Sequence, residues 1–258
     1  MTLNLYFSII AFILGAVVGS FLNVCICRMP RDESVVSPPS HCPNCSYRIR
    51  WYDNIPLVSY LLLRGKCRGC GARISLRYPL VEMLNGLLTL ALFLRFGPSL
   101  TFLALFIFCS ALVVITFIDI EHQIIPDEIS LSGIVIGFLF SFFLPWLGWL
   151  NSLAGILLGG GSLLLVAWGY HRLTGKEGMG GGDIKLLAMM GAFLGWKAIP
   201  FIIFVGSLFG SLVGVSMMML QKRDSKLAIP FGPYLAFAAV LYVFYGRRII
   251  QWYFSLGS

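Results

Sequence analysis

The chain has 258 residues, of which 58% are hydrophobic and 12% charged, with a mean hydropathy of +0.87. Soluble domains carry roughly 25% charged residues, so this composition excludes an ordinary soluble globule, a disordered chain, a collagen-like fibre and a small disulfide scaffold. The net charge of +8 comes from 19 Lys+Arg against 11 Asp+Glu; in a membrane protein such an excess belongs to cytoplasmic loops, and nucleic acid is not expected as a partner.

A membrane-crossing helix needs about 20 apolar residues. Apolar runs cover 5–27, 79–95, 99–118, 128–147, 151–170, 184–197, 199–220 and 228–246. They predict an all-α polytopic membrane protein with about eight transmembrane helices in the lipid bilayer. Pro98, Pro145 and Pro200 fall where spans should end or turn. Residues 1–24 lack the basic start of a cleavable signal peptide. The one long polar segment, 28–78, holds nine of the 19 basic residues. The positive-inside rule makes it cytoplasmic and places the N-terminus outside. Alternation then puts the loops 119–127, 171–183 and 221–227 inside as well, and leaves only Arg95, Lys197, Arg247 and Arg248 outside.

Within the polar segment, Cys42-Pro43-Asn44-Cys45 is followed after 21 residues by Cys67-Arg68-Gly69-Cys70. Two C-x-x-C pairs at this separation supply four thiolates from two tight turns, the set a structural zinc requires. A cytoplasmic position disfavours structural disulfides, although disulfides and an iron–sulfur centre remain alternatives. Cys25, Cys27 and Cys109 lie in apolar surroundings and read as packing residues.

Two acidic features follow. Asp119 directly continues the apolar run 111–118 and precedes Glu121, His122, Pro126, Asp127 and Glu128. Asp183 closes the run Gly178-Met179-Gly180-Gly181-Gly182 and is followed by Ile184 and Lys185. An ionisable group at the end of a span is costly and marks a functional candidate. Local readings compete: Asp127 and Glu128 can complement the N-terminus of a helix opened by Pro126, Asp183 alone can be an N-cap, and His122 and His171 read as solvated. The pair favours chemistry. Two carboxylates brought close share a proton, so one can activate water while the other polarises a carbonyl. The glycines would let backbone approach a substrate. Without a preceding strand or a G-K-[ST], they do not read as a phosphate cradle.

Together these residues resemble the type IV prepilin leader peptidases, which combine peptidase and N-methyltransferase. The resemblance runs through Gly19-Ser20-Phe21-Leu22-Asn23-Val24, Arg28 and Pro30, both C-x-x-C pairs and Arg77-Tyr78-Pro79-Leu80-Val81-Glu82. It continues through Asp119, Ile125-Pro126-Asp127 and residues 178–185, where Gly180, Gly182 and Asp183 fit the G-x-G-D pattern of intramembrane aspartyl proteases. It implies prepilin and pseudopilin substrates, cut on the cytoplasmic side between Gly and usually Phe. Methylation of the new N-terminus by S-adenosylmethionine would follow, in a bacterial inner membrane serving type IV pilus assembly or type II secretion, with the N-terminus periplasmic. Asp119 and Asp183 would be the catalytic pair, supported by Asp127, Gly180, Gly182 and Lys185. The expected organisation is a first transmembrane helix at 1–27, a four-cysteine zinc segment at 28–78 associated with methyl transfer, and a peptidase core at 79–258. No nucleotide-cradling loop stands out in the sequence. Glu82 is a candidate for methyl transfer, or an ion-pair partner of Arg77. Two other classes compete: a proton-coupled transporter with Asp119 and Asp183 as relays, which predicts acids at mid-bilayer and inverted repeats, and a zinc-ribbon membrane scaffold, which leaves the paired aspartates unexplained.

Overall fold

The computed structural model describes residues 2–175, 180–221 and 230–255. Residues 176–179 and 222–229 lie outside them, and with them Gly178 and Met179 of the glycine run and the basic residues Lys176, Lys222, Arg223 and Lys226. Each of the eight apolar runs holds a helix: α1 (Thr2–Arg28), α3 (Arg77–Phe96), α4 (Leu100–His122), α5 (Asp127–Ser141), α6 (Trp149–Thr174), α7 (Gly181–Leu194), α8 (Ala198–Gln221) and α9 (Gly232–Leu241). A short helix α2 (Val58–Leu62) lies in the polar segment, and α9 runs through a π-helical turn into α10 (Arg247–Ser255). No strand forms among the described residues; the polar segment holds two isolated bridges, His41 to Arg48 and Lys66 to Arg73.

Among the described residues, five helices are long and apolar enough to cross a bilayer: Leu5–Arg31, Arg77–Phe96, Leu100–His122, Trp149–Thr174 and Ala198–Met219. Three of the eight expected spans fall short of that length: α5 has 15 residues, α7 has 14, and the apolar helix Gly232–Gly246 is also short. Proline and glycine set these limits. Pro126 and Gly180 stand at the N-caps of α5 and α7, Gly195 closes α7 with φ +79°, and Pro233 opens α9. The sixth and seventh runs are thus separate helices.

The chain divides into two units, Met1–Val114 and Ile115–Ser258. In the first, α1 packs along α3 because Gly15 and Gly19 leave no side chain between the axes. A Cβ on Gly19 would stand 2.8 Å from the Glu82 Cα. In an apolar medium such close approach gives dispersion contact and room for interhelical hydrogen bonds. Asn85 Nδ2 donates to the Gly15 carbonyl at 2.7 Å, and its Oδ1 accepts from the Ser110 hydroxyl at 3.1 Å.

In the second unit α7 is the central helix. Every residue from Leu186 to Leu194 is buried, so it is apolar on all faces, as an interior helix must be. Its neighbours approach on glycines: Gly133 and Gly137 of α5 face Met189 and Phe193, while Gly159 of α6 faces the Leu187 carbonyl. The Ser152 hydroxyl donates to the Ala192 carbonyl at 2.7 Å. The leucines at 157, 164 and 165, on the outward side of α6, are exposed, as a lipid-facing surface requires.

Candidate active site and metal centre

Asp119 lies in the last turn of α4, 5% exposed. Its Oδ2 accepts the Gly232 backbone N–H at 2.9 Å, at the first residue of α9. Asp183 lies in the first turn of α7, whose N-cap is Gly180. The N-cap reading of Asp183 is therefore replaced: it is the third helical residue, half-buried, and within electrostatic range of Asp119. Ile125 joins the pieces. A Cβ on Gly182 would stand 2.9 Å from the Ile125 Cβ, and one on Gly232 would stand 3.5 Å from its Cδ1. The C-terminus of α4, the glycine-rich start of α7 and the start of α9 thus converge around one isoleucine.

Gly182 and Gly232 serve this convergence by lacking side chains; a Cβ on Gly232 would also lie 2.7 Å from Asp119 Oδ2. Gly180 is exposed, and a Cβ there would meet only Asp183 Oδ2, at 3.6 Å. Asp127 opens α5, but its carboxylate does more than face a helix terminus: Lys185 Nζ donates to both of its oxygens at 2.7 Å. This pair ties α5 to α7 two residues beyond Asp183. Glu128, His122 and His171 are exposed. Sequence reasoning missed Gly232. The available signal was Pro230-Phe231-Gly232-Pro233, a glycine between prolines at a helix start, which the apolar run 228–246 obscured.

The four cysteines of the polar segment come together, with all four Sγ atoms within 4.8 Å of one another. Cys42 and Cys70 are 3.9 Å apart at sulfur, as are Cys45 and Cys67. Zinc–sulfur bonds of about 2.3 Å in a tetrahedron require sulfurs about 3.8 Å apart, so the set fits a metal and none of these pairs is at disulfide distance. The two knuckles repeat one geometry. Cys42 N–H donates to the Tyr47 carbonyl and Ser46 N–H to Cys42; likewise Cys67 N–H donates to Ala72 and Gly71 N–H to Cys67. The equivalent residues Ser46 (φ 56°) and Gly71 (φ 73°) turn left-handed, which glycine adopts without cost.

Charge completes the fit. The Ala72 backbone N–H, with the Cys45 thiol beside it, lowers the Cys70 thiol to about 7. The Asn44 and Cys45 backbone N–H groups lower Cys42. At Cys45 the Tyr47 N–H also lowers it, but desolvation and the other three sulfurs prevail and push it up to about 12. Four thiols this close cannot all ionise without a cation among them. The second knuckle is anchored by Arg68, whose guanidinium forks onto both oxygens of Asp53 at 2.7–3.0 Å and lies over the Tyr52 ring. Cys25 and Cys109 are buried and Cys27 is half-buried.

Glu82, on α3, is 7% exposed, and its Oε2 accepts the Leu57 backbone N–H at 2.8 Å.

These features define a class: a multi-pass helical membrane protein with aspartates at two helix ends and a four-cysteine cluster between its first two long helices. Residues 13–96 match the bacterial peptidase A24 N-terminal domain, and residues 106–215 match the type IV leader peptidase family. The chain is 39% identical to the prepilin leader peptidase/N-methyltransferase of Aeromonas hydrophila, covering 97% of this chain and 94% of that protein. It is 39% identical to the one from Pseudomonas putida (95% and 92% covered) and 38% to the one from Pseudomonas aeruginosa (98% and 96% covered). The chain belongs to the type IV leader peptidase family. No solved structure matches it.

Proposed function

We propose that this protein cleaves the leader peptides of prepilins and pseudopilins at its paired aspartates and N-methylates the residue thereby exposed, in support of type IV pilus assembly or type II secretion. The observation that carries this reading is the convergence of Asp119, Asp183 and the Gly232 N–H in a member of this family. Two neighbouring carboxylates share one proton. The ionised one removes a proton from water as the water oxygen adds to the scissile carbonyl carbon; the protonated one gives its proton to the carbonyl oxygen. Collapse of the tetrahedral species breaks the C–N bond, and the leaving nitrogen takes the transferred proton. Gly232 N–H holds Asp119 Oδ2, leaving Oδ1 to face the reactants. Lys185 and Asp127 fix the start of α7 that carries Asp183, and Gly180 and Gly182 give an extended substrate backbone room.

The protein sits in the bacterial inner membrane with about eight crossings, the shorter helices α5, α7 and α9 included. The N-terminus is periplasmic and residues 28–78 are cytoplasmic, the side that carries the basic excess. Residues 79–258 form the peptidase core behind the first span, 1–27. Cys42, Cys45, Cys67 and Cys70 hold a structural zinc, which when bound folds the 28–78 segment; that segment supports methyl transfer, for which S-adenosylmethionine is the co-substrate. Paired aspartates at helix ends, with no acid at mid-span among those described, favour hydrolysis over proton-coupled transport.

The test is to incubate purified protein in detergent or liposomes with a candidate prepilin and S-adenosylmethionine and read the product masses. Loss of the leader together with a gain of one methylene mass is expected. An uncut prepilin in the presence of folded wild-type protein would overturn the cleavage reading.

A further inference from the structure

Glu82 is a buried carboxylate that peptide cleavage does not use, and its surroundings are built. It stands at a close approach of α1 to α3, at Gly19, so no side chain from Gly19 covers it. The donors beside it are neutral: the Leu57 backbone N–H, and the Ser20 hydroxyl, whose single proton also faces Asn54 Oδ1. A carboxylate accepts about four hydrogen bonds, so capacity remains for a further donor. Leu57 presents its N–H from φ 62°, ψ −46°, a conformation costly for a residue with a Cβ; such strain persists where surrounding structure enforces it, commonly at functional sites. Asn54 reaches across to Ser20 at 3.5 Å, so the 51–57 stretch lies over the carboxylate.

A second, independent observation points to a ligand. Asn23 is 2% exposed, and its Oδ1 has no hydrogen-bond partner. Its Nδ2 is committed to the carbonyls of Tyr78, at 3.0 Å, and Gly19, at 3.3 Å. Gly19 and Asn23 are one turn apart on α1, and Glu82 and Tyr78 one turn apart on α3. Asn23 and Glu82 are thus joined through the Tyr78 and Gly19 carbonyls at the same contact between α1 and α3. A buried acceptor without a donor is destabilising unless a ligand satisfies it. A carboxylate and a neutral carbonyl oxygen at one helix contact are acceptors only, and the group they suit is a cation with several N–H donors. A primary amine fits.

We propose that Glu82 and Asn23 hold the N-terminal amine that is to be methylated, with Ser20 and Asn54 at the entrance. This rests on the N-methyl-transfer reading above and extends the methyl-transfer region from the 28–78 segment onto α1 and α3. The amine is bound as the ammonium and gives one proton to the Glu82 carboxylate. The freed lone pair then forms the N–CH₃ bond as the donor's carbon–sulfur bond breaks, its electron pair remaining on sulfur as the neutral thioether. Glu82 places the amine and takes its proton, so a neutral isostere must fail even though it still accepts the Leu57 N–H.

The test uses Glu82→Gln in the full-length protein. The probe is a synthetic peptide beginning with phenylalanine and carrying a free amine, compared with its N-acetylated twin. Without methyl donor, wild type binds the free-amine peptide at least tenfold more tightly than the acetylated one, and Glu82→Gln loses the preference. With donor, Glu82→Gln lowers methyl transfer about 100-fold while prepilin cleavage and zinc content stay within twofold of wild type; Glu82→Asp recovers part of it. Wild-type methylation or an undiminished preference in Glu82→Gln would overturn the site while leaving the peptidase and methyltransferase reading standing. Equal loss of cleavage and methylation would also overturn it, showing a structural pin for the 51–57 stretch. A wild-type protein that cleaves but transfers no methyl would overturn this proposal and the methyl-transfer reading together.

Discussion

At the residue scale, the candidate peptidase site depends on two carboxylates and on two places where a side chain is missing. Asp119→Ala and Asp183→Ala should each abolish prepilin cleavage with folding intact, because a pair sharing one proton fails when either member is removed; thermal unfolding followed by circular dichroism checks the fold. Gly232→Ala should be nearly as damaging. Its new Cβ would stand 2.7 Å from Asp119 Oδ2, and displacing a reacting group by even 1 Å can cost about 100-fold in rate. Cleavage by Gly232→Ala within threefold of wild type would show that α9 plays no part in the site. The Lys185–Asp127 pair is a milder case. Both side chains are substantially exposed, at 38% and 54%, and exposed pairs contribute about 1 kcal/mol or less. Asp127→Ala should therefore keep partial activity, losing about fivefold, and the Asp127→Ala/Lys185→Ala double variant should lose no more than either single one, since each removes the same contact.

At the scale of elements, the four-cysteine segment and the short helix α7 owe their order to different forces. Residues 42–70 contribute few buried apolar side chains, and chains this short usually need a metal or disulfide to stay folded. Four-thiolate binding supplies roughly 10 kcal/mol or more in zinc-finger peptides. Purified protein should hold about one zinc per chain, and Cys45→Ser or Cys67→Ser should loosen the segment, reducing methylation more than cleavage. Zinc affinity should fall as pH is lowered, and more steeply below about 7. Protons compete for the sulfurs, and Cys70, held down to about 7 by the Ala72 N–H, becomes protonated below that value. A metal-free wild type with both activities intact would refute the zinc centre. Helix α7, by contrast, is held by surrounding α5 and α6, whose glycines let the backbones touch. Those contacts are absent from any local pattern: nothing in the spacing of Gly133, Gly137 and Gly159 says which helix they receive.

For the whole molecule, the expected geometry places a pilin's apolar N-terminal helix in the bilayer beside the elements that carry Asp119 and Asp183, with its basic leader on the cytoplasmic side. Photocrosslinkers at the scissile glycine should capture residues 119–127 and 180–185; capture by the opposite-side loops near Pro98 or Pro145 would contradict it. Composition and the length of the apolar runs alone determined that this is a helical membrane protein, because burying apolar surface in lipid and satisfying the backbone within helices leave few options. The cysteine spacing likewise determined a four-sulfur cluster, since each C-x-x-C closes within one turn. The aspartates were legible as a pair only through their order along the chain and the family pattern. Tertiary structure decided the rest: that Asp183 sits at the third helical position and is not an N-cap, that Asp127 answers to Lys185, that Glu82 accepts from Leu57, and that Gly232 completes the Asp119 site. Each of those facts joins residues 25 to 113 positions apart or depends on where a helix starts, and no local preference encodes either. Long-range partners are chosen by the packing of whole helices, and the sequence states the surfaces without stating which of them meet.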